Sequence, residues 1–131
     1  MRLIVGLICL ELLGCNPSER HTLRPALAPR PVAVYEAAWR QAPADPQRLW
    51  ELGWAYLLNG RPREAVELLQ RLVEQTPADP DAHYYLGVAL ARQQRKEEAI
   101  QGFKRAVELA PGLAEAHWGL ALLYNERGDG Y

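Results

Sequence analysis

Residues 46–79 read PQRLWELGWAYLLNGRPREAVELLQRLVEQTPAD, and the same pattern starts again at Pro80 and at Ala114. The residues that separate the units repeat as well, because the tetrapeptide PADP occurs at residues 43–46 and again at residues 77–80. The period is therefore 34 residues. A fixed period of this size indicates an array of structural repeats that stack on one another.

Each unit is predicted to form a hairpin of two helices. Apolar residues recur at spacings of three and four through two stretches of about fourteen residues, and a break separates the two stretches. In the first unit Gly60 suits a left-handed helix C-cap, and Pro62 suits a first helical turn. The corresponding break of the second unit contains Gln93 and Gln94, so its turn is signalled less sharply. A single hairpin cannot bury its apolar face, and we therefore expect the hairpins to stack.

The residues that recur within the units resemble the tetratricopeptide repeat, whose pattern is W-x2-L-G-x2-Y, then A-x3-F, then P. The matching residues are, in the first unit, Leu49, Leu52, Gly53, Tyr56, Ala65, Leu69 and Pro77; in the second, His83, Leu86, Gly87, Leu90, Ala99, Phe103 and Pro111; and in the third, His117, Leu120, Ala121 and Tyr124. The resemblance covers residues 46–127. It implies an all-α fold in which the helical hairpins form a right-handed superhelical stack, an α-solenoid.

The resemblance also divides the chain into segments. The predicted repeats are residues 46–79 (first), 80–113 (second) and 114–131 (a partial third). Residues 32–42 resemble the second helix of a degenerate repeat, because Tyr35 and Ala38 lie one period before Leu69 and Leu72. We expect this helix to cap the stack by covering the exposed face of the helix that follows it.

The first residues, MRLIVGLICLELLGC, have the layout of a secretory signal, with one positive charge, an apolar run and small residues before a cysteine. We expect residues 1–14 to be this signal. Residues 12–15 resemble the lipobox of bacterial lipoprotein precursors, which implies a lipid on Cys15. Glu11 departs from that pattern, and the alternative is an ordinary export signal in which Cys15 is incidental. Asn16 resembles the class that is sorted to the outer membrane.

Residues 15–31 follow the signal and are predicted to be an extended tether. This segment contains four prolines and has no hydrophobic periodicity. At about 3.1 Å per residue it reaches up to about 50 Å. We therefore expect a lipid-anchored protein of the bacterial cell envelope, at the outer membrane and facing the periplasm. A secreted or soluble periplasmic protein is the alternative.

Composition and residue spacing argue against several functions. With 131 residues, 49% hydrophobic residues and a net charge of −1, the chain predicts one small globular domain with a tail and no nucleic-acid partner. Its histidines are His21, His83 and His117. Stacked helices lie about 8 to 10 Å apart, which does not bring these side chains together as metal ligands. No nucleophile has a base and an orienting group at a suitable spacing, so we expect no enzyme activity, metal or cofactor.

A candidate binding surface follows from helical spacing, because one face of each first helix is free of the residues that match the family pattern. The predicted surface residues are Trp50, Trp54, Leu57, Tyr84, Val88, Trp118 and Leu122. In the family this face lines the concave groove, so the resemblance implies that Trp50, Tyr84 and Trp118 form a ladder of aromatic side chains there. The family pattern places its tryptophan one position earlier. The alternative is therefore that these aromatics belong to the core.

These features predict a non-catalytic protein–protein interaction module, an adaptor or assembly factor that binds an apolar or aromatic segment of a partner. Family members that grip a C-terminal carboxylate use Lys, Asn and Arg at positions that here hold Trp50, Trp54, Tyr85, Glu115 and Gly119. This clamp is absent. The rival prediction is a structural subunit that self-associates, or docks into a larger complex, through its incomplete third repeat, where Leu120 and Tyr124 are expected to be poorly covered.

Overall fold

The computed structural model describes residues 30–128. This part of the chain contains no strand and six helices: α1 Val32–Gln41, α2 Pro46–Leu58, α3 Pro62–Gln75, α4 Pro80–Arg92, α5 Lys96–Leu109 and α6 Ala114–Arg127. The predicted all-α stack of hairpins is confirmed. The predicted signal, Cys15 and the tether as far as residue 29 lie outside the described residues, as do residues 129–131.

The first helix of each full hairpin begins in a PADP tetrapeptide. Asp45 is the N-cap of α2, and its carboxylate accepts a hydrogen bond of 3.1 Å from the backbone N–H of Gln47. Asp79 caps α4 in the same way, with a bond of 3.0 Å from the backbone N–H of Asp81. A proline follows each cap, and its fixed φ and missing N–H suit the first helical position.

The turns inside the two full hairpins share a left-handed backbone position. Gly60 has a φ of 70°, as its sequence context predicts. Gln94 lies one period later and has a φ of 62°, although it carries a Cβ atom. A non-glycine residue in this region costs on the order of 1 kcal/mol. The packing of the second hairpin therefore imposes a turn that the local sequence does not favour.

Glycines allow the helices of each hairpin to approach closely. A Cβ atom at Gly53 would lie 3.0 Å from Cγ of Leu69, and one at Gly87 would lie 3.0 Å from the ring of Phe103. The same ring would lie 3.0 Å from a Cβ atom at Gly119 in the next hairpin. Phe103 on α5 therefore packs against both α4 and α6, and its position fixes the spacing between them.

Helix α1 packs against α2 at the start of the stack. Tyr35 of α1 is buried, and the hydroxyl of Tyr56 on α2 donates a hydrogen bond of 2.9 Å to the carboxylate of Glu36 on α1. Burial and this hydrogen bond raise the pKa of Tyr56. The guanidinium of Arg61 covers the Tyr56 ring at 4.5 Å. None of the described helices is both long and apolar enough to cross a membrane.

Candidate partner-binding cleft

The first part of the predicted groove is closed. Trp50 is only 2% exposed and Leu57 only 1%, so the prediction that both line an open groove is wrong. Tyr85 on α4 contributes to the burial of Trp50, because its ring packs edge-on with centroids 5.9 Å from Trp50 and 5.0 Å from Trp54. Trp54 is left partly buried. For Trp50 the alternative of a core aromatic therefore holds.

The open part of the surface is a cleft between α4 and α6, with a volume of about 270 Å³. The cleft is lined by Tyr84, Val88, Ala91, Gln94, Phe103, Glu115, Trp118, Gly119, Leu122, Leu123 and Glu126. Tyr84 and Val88 are half-buried in its wall. Trp118 is 67% exposed and Leu122 is 46% exposed. Four of the seven predicted groove residues are thus brought together here.

An aromatic stack connects this cleft to the core. The Tyr84 ring lies 5.2 Å from Tyr85 and 5.6 Å from Phe103, measured between centroids. Tyr85 covers Trp50, whereas none of the described residues covers Trp118 in the same way. Equivalent positions in successive repeats therefore have different exposures, because each one depends on what packs against it from the next repeat.

All of the charged residues that line the cleft are acidic. Glu126 is paired with Lys96 at 3.1 Å. Among residues 30–128, no basic side chain forms an ion pair with Glu115. Burial raises the pKa of Tyr84, and the nearby Glu115 carboxylate adds to this effect. The Arg92 guanidinium opposes this effect on the pKa of Tyr84. The cleft is therefore an apolar surface edged by a carboxylate, Glu115, that is in none of the ion pairs of residues 30–128.

The prediction that Leu120 of α6 is poorly covered is wrong. Leu120 is buried, and Tyr124 is half-covered. The cations of Lys104 and Arg127 lie 5.9 and 5.4 Å from the Tyr124 ring. The exposed apolar side chains of α6 are instead Trp118 and Leu122, which face the cleft.

Three polar residues of the cleft were not among the predicted surface residues: Gln94, Glu115 and Glu126. A signal for Glu115 was present, because Glu115, Trp118 and Leu122 lie at positions i, i+3 and i+7 of one helix and so share a face. Gln94 carried no such signal. It reaches the cleft because the left-handed turn after α4 directs the chain there.

A second surface depression, of about 510 Å³, lies between α3 and the start of α5 and includes Arg63, Gln70 and Arg95. Arg95 is already engaged, since its guanidinium donates hydrogen bonds of 2.8 and 2.6 Å to Glu98. The described residues contain no group of three or more His, Cys, Asp or Glu that could hold a metal ion. The cleft between α4 and α6 is therefore the better candidate for a binding site.

Stacked helical hairpins with an exposed apolar cleft define a helical-repeat protein of the kind that binds other proteins. The family model described as tetratricopeptide repeat matches residues 32–80 and again residues 51–114. Together the matches span more than half of the chain, and the chain belongs to the tetratricopeptide repeat family. Its fold and family make it a protein–protein interaction module of the scaffold type.

Several solved structures of MamA are similar to this chain. The crystal structure of MamA is 30% identical, with a TM-score of 0.70 over 75% of this chain and 57% of that one. MamA MSR-1 is 31% identical, with a TM-score of 0.68 over 75% of this chain and 56% of that one. MamA from Desulfovibrio magneticus RS-1 is 26% identical, with a TM-score of 0.72 over 75% and 55%.

The chain therefore spans a little over half the length of the MamA structures that it matches. Among curated proteins, none matches it significantly.

Proposed function

We propose that this protein is a non-catalytic adaptor or assembly factor of the bacterial cell envelope. In this proposal the cleft between α4 and α6 binds an apolar or aromatic segment of a partner protein, and a lipid on Cys15 tethers the domain to the outer membrane on its periplasmic side. The observation that carries the binding part is the exposure of Trp118, a residue that is 67% exposed and lines the cleft.

The exposed indole has enough surface to anchor a partner. A tryptophan buries roughly 200 Å² at most, so covering the exposed two thirds of Trp118 removes about 130 Å² of surface from water, which is about 3 kcal/mol before the costs of association. Leu122 lies one turn further along α6 and adds to the same patch. Large apolar side chains of this kind are typical anchors of protein interfaces.

Two other exposed apolar residues provide a matched control for this surface. Val34 is 45% exposed and Leu58 is 57% exposed, and neither lines the cleft. The test compares detergent-solubilised envelope pull-downs with the parent chain, a Trp118→Ala/Leu122→Ala variant and a Val34→Ala/Leu58→Ala variant. We expect the cleft variant to lose a partner that the control variant keeps. Equal recovery of every protein by all three forms would refute the binding proposal.

The tether is tested separately. Its support is the signal-like start of the chain and the position of Cys15 directly after Leu12-Leu13-Gly14. A Cys15→Ser variant is expected to leave the membrane fraction, whereas Cys9→Ser, inside the predicted signal, is expected to stay there. Membrane retention of the Cys15→Ser variant would rule out a lipid anchor at this position.

A second candidate function is a structural subunit that self-associates through α6. The observation that favours it is the same exposed pair, Trp118 and Leu122, rather than the Leu120 and Tyr124 side of the helix. Sedimentation equilibrium of the purified chain distinguishes the two functions. A concentration-dependent oligomer that Trp118→Ala/Leu122→Ala abolishes supports self-association, and a monomer at all concentrations supports capture of a different protein.

A further inference from the structure

The charge of the cleft limits which segment can bind there. Its two charged lining residues are Glu115 and Glu126. Both lie on α6, the helix that also presents Trp118 and Leu122. Glu115 is three residues before Trp118, so its carboxylate and the indole are neighbours on one face of α6. An acidic group is thus placed beside the main apolar anchor.

The cations near the cleft have other partners than Glu115, although the charge of Arg92 still acts on Tyr84. Lys96 pairs with Glu126 at 3.1 Å, and Arg127 pairs with Glu97 at 2.9 Å. The guanidinium of Arg92 donates a hydrogen bond to the carbonyl of Leu57, at the end of α2. None of the ion pairs of the described residues includes the exposed carboxylate of Glu115. A ligand that covers Trp118 would remove water from this carboxylate, which costs free energy unless the ligand supplies a positive charge.

We propose that the cleft recognises a protein segment that places a lysine or arginine next to an apolar or aromatic anchor. The inference rests on the proposed binding function of the cleft. The anchor covers Trp118 and Leu122, and the cation pairs with Glu115. A cation at this place also lies near the indole face, where a cation–π contact is favourable. A segment with an acidic residue beside its anchor is rejected by like-charge repulsion at Glu115.

The test uses random twelve-residue peptides displayed on phage and selected on the full chain. The same selection is made on Glu115→Lys, and on Glu108→Gln as a control that removes one exposed carboxylate outside the cleft. We expect the parent and the control to enrich peptides with an apolar or aromatic anchor beside Lys or Arg. Glu115→Lys is expected to enrich peptides with Asp or Glu at that place.

Synthetic versions of the enriched peptides then give affinities by fluorescence anisotropy. Replacing the cationic residue of the peptide by glutamine is expected to weaken binding to the parent chain about tenfold, which corresponds to about 1.4 kcal/mol. The same replacement is expected to have little effect on binding to Glu115→Gln. Because the pair is partly solvated, raising the salt concentration should reduce the difference.

The possible failures can be told apart. Neutral or acidic peptides from the parent, or no change in charge preference with Glu115→Lys, would overturn the inference and leave the binding cleft in place. Peptides that bind the Trp118→Ala/Leu122→Ala variant as well as they bind the parent would refute the cleft itself. A library that gives no binder to the parent would count against both.

Discussion

Replacing Gln94 by glycine is expected to stabilise the protein. Gln94 has a left-handed φ of 62°, and the equivalent position of the first full repeat is Gly60, with a φ of 70°. The Gln94 side chain is exposed, and it forms no hydrogen bond with the described residues that would offset backbone strain. The substitution therefore relieves strain at little cost in contacts.

The expected gain in the free energy of unfolding is the difference between two costs, one for the left-handed Gln94 and one for the glycine that replaces it. A residue with a Cβ atom costs roughly 1 to 2 kcal/mol in the left-handed region. Glycine costs about 0.5 to 1 kcal/mol more than other residues because it has greater freedom in the unfolded chain. The net gain for Gln94→Gly is thus about 0.5 kcal/mol, which raises the Tm of a domain of this size by about 2 to 4 °C.

The reciprocal substitution is the control. No atom lies within 4 Å of a Cβ atom built at Gly60, so Gly60→Gln carries the backbone penalty without a clash. We expect it to lower the free energy of unfolding by about the same 0.5 kcal/mol. The two turns belong to different repeats, so the effects should add and the double variant should match the parent. Thermal and urea unfolding give the stabilities of the parent chain, the two single variants and the double variant.

The argument would be refuted if Gln94→Gly unfolded at a lower temperature than the parent chain. A Gly60→Gln variant with the same free energy of unfolding as the parent chain would contradict it as well. Either result would mean that interactions of the side chain, and not the conformational limits of the backbone, determine which residue suits this turn.

The remaining predictions concern packing, close approach and capping. Trp50→Ala is expected to lower the free energy of unfolding in urea by about 3 to 5 kcal/mol, because the side chain is buried. Trp118→Ala is expected to lower it by less than about 0.5 kcal/mol, because this residue is exposed. Equal losses for the two variants would contradict the assignment of Trp50 to the core and Trp118 to the surface. Gly87→Ala is expected to lower the free energy of unfolding by about 1 to 3 kcal/mol in the same assay, because the new Cβ atom would lie 3.0 Å from the Phe103 ring. An unchanged stability would mean that the ring can move away from this atom. Asp79→Ala is expected to lower the stability in thermal unfolding by about 1 kcal/mol, because it removes the acceptor that caps α4. Asp79→Asn is the control, because it keeps an acceptor at this position. Equal losses for the two variants would mean that the charge of Asp79, and not its hydrogen bond, stabilises the helix.

Much of the architecture follows from local features of the sequence. Asp45 and Asp79 accept hydrogen bonds from N–H groups two residues away, so the chain itself specifies where α2 and α4 begin. Gly60 is left-handed because glycine lacks the Cβ atom that makes this region unfavourable for other residues. Such effects depend on near neighbours in the chain, and the 34-residue period repeats them.

The binding surface was less predictable, because exposure is a property of the assembled stack. Trp50, Tyr84 and Trp118 occupy equivalent positions of successive repeats, yet they are buried, half-buried and exposed, respectively. Helical spacing states which residues share a face, but it does not state which side chain from the next repeat will cover that face. Tyr85, which covers Trp50, has Glu51 and Gly119 as its equivalents in the other repeats.

The sequence by itself determined the repeat period, the starts of α2 and α4 and the all-α class, because caps and hydrophobic periodicity act over a few residues. The tertiary structure alone decided that Tyr85 closes the groove at Trp50, that Phe103 holds α4 and α6 around a cleft, and that Trp118 remains open beside Glu115. These outcomes depend on contacts between residues of different helices, such as Phe103 with Gly87 and Gly119, or Trp50 with Tyr85. Such contacts are fixed only when the hairpins pack against one another.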